Sequence, residues 1–148
     1  MVKSLIPTEK AYIAGFLDGD GSIYVRAKPN SDYRFGFQIA PYIILFQSSK
    51  GKEKFEDLCK LIGFGYMRER KDGILEYTIN KIADIKELLE VIYPYTILKR
   101  KQIELMLKIL EAKSKIETES DFKILLELVN SYRDLNYSKK RINRVLTP

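Results

Sequence analysis

Residues Ile13 to Gly21 read IAGFLDGDG, which places two carboxylates, Asp18 and Asp20, at the glycine-rich end of an apolar helical stretch. Ala11, Gly15 and Gly19 recur every four positions, so they stack on one helix side and let a second helix backbone come close. Glycine inside a helix costs up to about 1 kcal/mol against alanine; two of them four apart need a reason, and close packing is that reason. Asp20 would then sit where two such helices meet. The plainer reading of the same residues is an amphipathic helix with a glycine stop, since Tyr12, Ile13, Phe16 and Leu17 make an ordinary apolar stripe. Histidine is absent from all 148 residues, which excludes a histidine base, a Ser-His-Asp triad and a histidine-rich zinc site. Hydrolysis by this chain must rest on carboxylates, lysine, tyrosine or a metal ion held by oxygens.

With 26 Lys and Arg against 20 Asp and Glu, the net charge of +6 suits a polyanionic partner. The length is that of one domain, residues 1–148, able to bury a core without disulfides. Cys59, the only cysteine, has Leu58, Leu61 and Ile62 as neighbours and reads as a small buried hydrophobe. No apolar run approaches membrane-spanning length, and the N-terminus lacks the apolar core of a signal peptide. The expectation is an intracellular protein of a prokaryotic cytoplasm or an organelle, not secreted and without a membrane partner.

The carboxylates need a frame. The motif helix is expected over about 8–20, with Thr8 as N-cap and Glu9 in its first turn. Ser22 to Lys28 alternates strictly, Ile23, Val25 and Ala27 facing one way and Tyr24, Arg26 and Lys28 the other. After a turn at Pro29-Asn30-Ser31-Asp32, a second strand from about Tyr33 to Gln47 puts Phe35, Phe37, Ile39, Ile43 and Leu45 inward. Its outward set is Arg34, Gln38, Ala40, Tyr42, Ile44 and Phe46, and Pro41 calls for an edge strand or a bulge. A helix over Lys50 to Ile62 stops at Gly63. Strands at Phe64 to Lys71 and Ile74 to Ile79 are joined by the two-residue hairpin signal Asp72-Gly73, with Glu76 and Thr78 on the side of Arg68 and Arg70. Asn80 caps a third helix to about Val91, a fourth covers about Leu98 to Lys113, Ser120 caps a fifth to about Leu135, and the tail is basic. The fold class is α+β, an αββαββα core with one antiparallel four-stranded sheet and extra C-terminal helices.

Two hairpins thus expose a face with Tyr24, Arg26, Lys28, Gln38, Arg68, Arg70 and Glu76. Arginine pairs with guanine, glutamine with adenine, and glutamate accepts from cytosine in a DNA major groove. A solvated sheet face is the plain alternative.

The segment IAGFLDGDG resembles the motif of the LAGLIDADG homing endonucleases, with Ala14, Gly15, Asp18, Asp20 and Gly21 identical. The likeness to single-motif members runs over nearly the whole chain, through Lys28 to Asn30, Gln38, Gln47, Ile62-Gly63, Gly65-Tyr66, Arg68, Arg70, Tyr77, Lys99, Lys101-Gln102, Asn136 and Ser138-Lys139. It implies metal-dependent cleavage of both strands of a long double-stranded DNA site across the minor groove, leaving 3′ overhangs. By the same resemblance Asp20 is the metal-binding acid, the Gly19 carbonyl is a further ligand, and Gln47 and Lys99 complete the catalytic set. Mg²⁺, or another divalent cation such as Mn²⁺, suits such an oxygen-only site. The sheet becomes a saddle on the groove. Asn30, Tyr33, Arg34, Tyr42 and Thr78 join the exposed face as DNA-binding candidates, and Asn136, Ser138, Lys139 and Lys140, in a tail of about 136–148, align with a segment that touches DNA backbone.

One motif supplies one Asp20, and no second copy occurs in the chain. Cutting two strands therefore calls for a homodimer paired through Ala11, Gly15 and Gly19 on a pseudo-palindromic site. The sequence departs from the family pattern at Gly51, where relatives carry a basic residue, leaving Lys50 or Lys52 as substitutes or the role vacant. Asp18 is expected to point away from Asp20 in a helix-end structural role. Alternatives on the same scaffold are a maturase that binds intron RNA and a DNA-binding regulator that does not cleave.

Overall fold

Pro7 sets where the first helix begins. Its ring fixes a helical φ, and its missing N–H is not needed in the first turn. In the computed structural model, which describes residues 2–135, helix α1 spans Pro7–Asp20 with Ile6 as N-cap, and the Glu9 carboxylate accepts the Ile6 N–H at 3.1 Å. Thr8, the expected cap, falls inside the helix. The chain continues through β1 (Gly21–Pro29), β2 (Phe37–Ser48), α2 (Lys52–Ile62), β3 (Tyr66–Glu69), β4 (Ile74–Ile79), α3 (Ile82–Ile92), α4 (Arg100–Ser114) and α5 (Glu119–Leu135). The four strands form one antiparallel sheet in the order β1-β2-β4-β3, the α+β arrangement expected. The candidate DNA contacts Asn136, Ser138, Lys139 and Lys140 lie outside the described residues. Among the described residues no helix is long and apolar enough to cross a membrane.

The described chain divides into two compact units. The first comprises residues 2–23 and 42–100. In it α1 buries Ile13, Ala14 and Leu17, and its Phe16 ring lies 5.8 Å from that of Phe55 on α2. Helix α3 packs on α1 and buries Ile85, Leu88, Leu89 and Ile92; its N-cap is Lys81 rather than Asn80. Strands β2 and β4 pair from Ile43↔Ile79 to Ser48↔Ile74, while β3 pairs with β4 from Tyr66↔Thr78 to Glu69↔Leu75. This register buries Leu75, Tyr77 and Ile79 with Ile43 and Leu45, as the alternation predicts. The hairpin is closed by Arg70 N–H donating to the Ile74 carbonyl (2.8 Å), with Gly73 at φ +82°. It is therefore a longer turn with glycine in the left-handed position, not a two-residue one, and β3 is shorter than expected. Tyr77 donates its hydroxyl hydrogen bond to the Phe64 carbonyl, and burial pushes its pKa up to about 12. Burial likewise raises the Cys59 thiol to about 12, so it stays protonated and inert at neutral pH.

The second unit comprises residues 24–41 and 101–135. Val25, Ala27 and Ile39 are buried, as are Ile103, Met106, Ile109 and Leu110 of α4 and Phe122, Leu125, Leu126, Val129 and Tyr132 of α5. Phe122 stacks on Phe35 at 5.0 Å and on Phe37 at 6.4 Å. Residues 30–36 fold back on themselves, Asn30 N–H donating to Gly36 carbonyl and Gly36 N–H to Tyr33 carbonyl, so β2 starts at Phe37 and not near Tyr33. Helix α5 is capped by Thr118, whose hydroxyl accepts the Asp121 N–H (3.1 Å), rather than by Ser120. In return the Asp121 carboxylate accepts the N–H groups of Glu117 and Thr118, which hold its pKa below the usual carboxylate value.

Strand β2 departs from the sequence expectation in two ways. The strand lies between β1 and β4, not at an edge, and continues through a buried Pro41; the register with β4 begins only at Ile43, so β4 asks nothing of the missing N–H. Ala40 and Ile44, expected outward, are 7% and 8% exposed.

Gly21, the last residue of the motif, is fixed by contact rather than by dihedral angle. A Cβ there would lie 2.8 Å from the Leu17 carbonyl oxygen and 2.9 Å from the Leu17 Cα. Gly21→Ala is expected to destabilise the fold by about 1–3 kcal/mol, the usual cost of overpacking, read as a lower urea midpoint with unchanged slope.

Candidate functional site

The carbonyl end of α1 sorts the two acids of the motif. Asp18 turns its carboxylate to the segment leading into α4: Oδ2 accepts the N–H groups of Ile97 (2.7 Å) and Leu98 (3.1 Å), and Oδ1 that of Lys99 (3.2 Å). The Lys99 ammonium donates to the Asp18 carbonyl at 2.9 Å. Asp18 is thus a structural anchor, as expected, and Asp20 is left exposed. Sequence reasoning missed the partner of Asp18, since nothing local links residues about eighty positions apart.

The Asp20 carboxylate and Gly19 carbonyl are hard oxygen donors, and that chemistry fits Mg²⁺ or Mn²⁺. Among the described residues no group of three or more His, Cys, Asp or Glu could hold a metal ion.

Gln47 is half-buried on β2 beside Leu75, and its Oε1 accepts the Ser48 N–H at 2.8 Å. A Cβ at Gly51 would lie 3.7 Å from Gln47 Cγ, ordinary contact; the position that departs from the family pattern borders the glutamine directly. Of the two neighbouring lysines, Lys52 has its ammonium 3.7 Å from Glu69, while Lys50 is exposed at the short 3-10 turn Ser49–Gly51.

On the outward side of β3 and β4, register places Arg68 opposite Glu76, and Glu76 opposite Phe46. Glu76 Oε1 lies 2.9 Å from Arg68 Nη2 and 3.6 Å from Arg70 Nε, and Arg70 Nη2 lies 2.6 Å from Asp72. The bond to Glu76 raises the pKa of the Arg68 guanidinium above its ordinary value. The Glu76 side chain is 14% exposed against 67% for Arg68, and its carboxylate holds both arginines. Thr78, also placed in the DNA-binding set, is 7% exposed and covered like its neighbour Ile44. Tyr42 is half-buried.

In the second unit Arg26 is exposed and Tyr24, Lys28 and Gln38 are half-buried. The Asn30 side-chain oxygen accepts the Asp32 N–H at 3.0 Å, which ties it to its own turn. Tyr33 is exposed, and the Arg34 guanidinium lies 4.9 Å over the Phe35 ring.

The remaining face of α1 is bare. Ala11, Gly15 and Gly19 are exposed, and a Cβ at either glycine would meet no atom within 4 Å. Beside them Thr8, Glu9, Tyr12, Lys54, Asp57, Leu58 and Leu61 line a groove of about 520 Å³. Among the described residues, nothing packs where a side chain at Gly15 or Gly19 would stand.

A family model described as LAGLIDADG endonuclease matches residues 13–110. DNA endonuclease I-CreI of Chlamydomonas reinhardtii is 35% identical over 131 residues, 88% of this chain and 80% of that protein. DNA endonuclease I-CvuI of Chlorella vulgaris is 32% identical over 117 residues, 79% and 71% respectively. A crystal structure of I-CvuI in complex with the I-CreI target, with Mg present and the DNA not cleaved, has a TM-score of 0.85 at 30% identity, covering 91% of this chain and 86% of that one. Motif, fold and relatives agree over most of the sequence, and the chain belongs to the LAGLIDADG family of homing endonucleases.

Proposed function

We propose that two copies of this chain pair through α1 and cut both strands of a long, pseudo-palindromic DNA site with Mg²⁺, leaving 3′ overhangs. The observation that carries this reading is the bare glycine face of a helix that ends in one exposed acid. A face that the described residues leave uncovered is where a second helix backbone fits, and pairing about a two-fold axis brings two Asp20 carboxylates together. The groove beside the glycines continues the same surface.

Asp20 and the Gly19 carbonyl would hold the metal, which when bound would supply Lewis-acid stabilisation at the scissile phosphate. Lys99, held at the end of α1, adds positive charge toward the phosphate. Gln47 orders water. Arg68 and Arg70 present paired donors to purine edges, and Glu76 and Asp72 orient them. Arg26, Tyr24, Lys28, Gln38, Tyr33 and Arg34 extend the contact, and the basic tail holds backbone. The substrate is genome-borne DNA, so the protein acts inside the cell or organelle.

Asp20→Asn is expected to lower single-turnover cleavage by at least about 10²-fold while site affinity, measured by gel shift with Ca²⁺, is largely kept. Near wild-type cutting by this mutant would sink the assignment. Lys99→Ala and Gln47→Ala should each slow cleavage by about 10–100-fold with a smaller change in affinity.

Gly15→Leu should push the paired helices apart. Sedimentation is expected to show a monomer, and cleavage to be lost in parallel. An active wild-type monomer well below the dimer dissociation constant would overturn the paired model.

A further inference from the structure

Asp18 belongs to the motif, yet the proposed chemistry gives it no part. The structure shows it gripping residue 99 at both ends. Its carboxylate holds the Lys99 backbone N–H, together with those of Ile97 and Leu98, and its own carbonyl receives the Lys99 ammonium.

Three consecutive N–H groups converging on one carboxylate make the anion contact typical of a helix start, here just before α4 begins at Arg100. The last carbonyls of α1 lack partners within their own helix and carry partial negative charge, which draws the lysine ammonium. The same segment is stapled from its other flank. Thr96, 1% exposed, donates its hydroxyl hydrogen bond to the Tyr93 carbonyl (2.9 Å), and Arg100 Nε donates to the Thr96 carbonyl (2.7 Å). The fixed backbone holds Ile97 and Leu98 outward, 80% and 74% exposed, so their side chains are not what anchors it. The anchor is polar and comes from α1.

We infer that Asp18 is a positioning residue for Lys99: it fixes both the backbone and the ammonium of the lysine to the helix that carries Asp20. The lysine and the metal-binding acid then move as one body when two copies of α1 meet. This rests on the reading of Lys99 as the cation that faces the scissile phosphate. A helix-end role alone would require only that the fold be kept.

The test is a double-mutant cycle on the full-length protein with Asp18→Asn, Lys99→Ala and the pair, reading single-turnover cleavage with Mg²⁺, site affinity with Ca²⁺, and sedimentation. Asp18→Asn places an amide N–H against a backbone N–H and breaks part of the grip. Expected are a loss of cleavage rate of about tenfold or more, affinity within about twofold of wild type, an intact dimer, and no further loss when Asp18→Asn is added to Lys99→Ala. Where Asp18→Asn does not fold, Asp18→Glu keeps the charge and shifts the carboxylate by one methylene; the same non-additivity is expected of it. Additive losses would overturn the positioning role and leave Lys99 in place. An unchanged rate in Lys99→Ala would overturn the reading of the lysine itself, and this inference with it.

Discussion

Two carboxylates within three residues at the carbonyl end of a helix work against the helix dipole, each by about 0.3–1 kcal/mol near the surface. The site depends on how that strain is met. Asp18 is offset by three backbone N–H groups brought from residues 97–99, and its carbonyl by the ammonium of Lys99. Asp20 is exposed.

Helix α1 answers to two masters. Ile13, Ala14 and Leu17 root one face in the core, and Phe16 meets Phe55. On the opposite face a Cβ at Gly15 or Gly19 would meet no atom of the described residues within 4 Å. Gly21 then lets β1 leave the helix directly beneath Leu17, so that the sheet begins one residue after the exposed acid. Core packing, exposed small-residue face and acid are set by the 3.6-residue period of one helix, which leaves little freedom to change one without the others.

The outward row of β3 and β4 is electrostatically tuned rather than simply basic. Glu76 and Asp72 hold Arg68 and Arg70 by 2.9 and 2.6 Å contacts. Both arginines remain exposed enough to meet a ligand, yet their forks are oriented beforehand, which reduces the rotamer freedom lost on binding. Exposed pairs of this kind add little to stability, so their worth lies in geometry.

The sequence alone determined the element order, the alternation of β1 and β4 and the burial of Cys59, because these follow from periods and turn residues carried within a few positions. It also set apart Asp18 as the structural acid. Boundaries shifted where side chains compete locally: Pro7 moved the first cap to Ile6, Thr118 displaced Ser120, and the loop at residues 30–36 shortened β2. Tertiary structure decided what local pattern cannot carry. Strand order made β2 interior; cross-strand register set Glu76 against Arg68 and Arg70; and long-range hydrogen bonds joined Asp18 to Lys99. Each depends on which distant segments become neighbours, and that is fixed by packing of the whole chain rather than by spacing within any part of it.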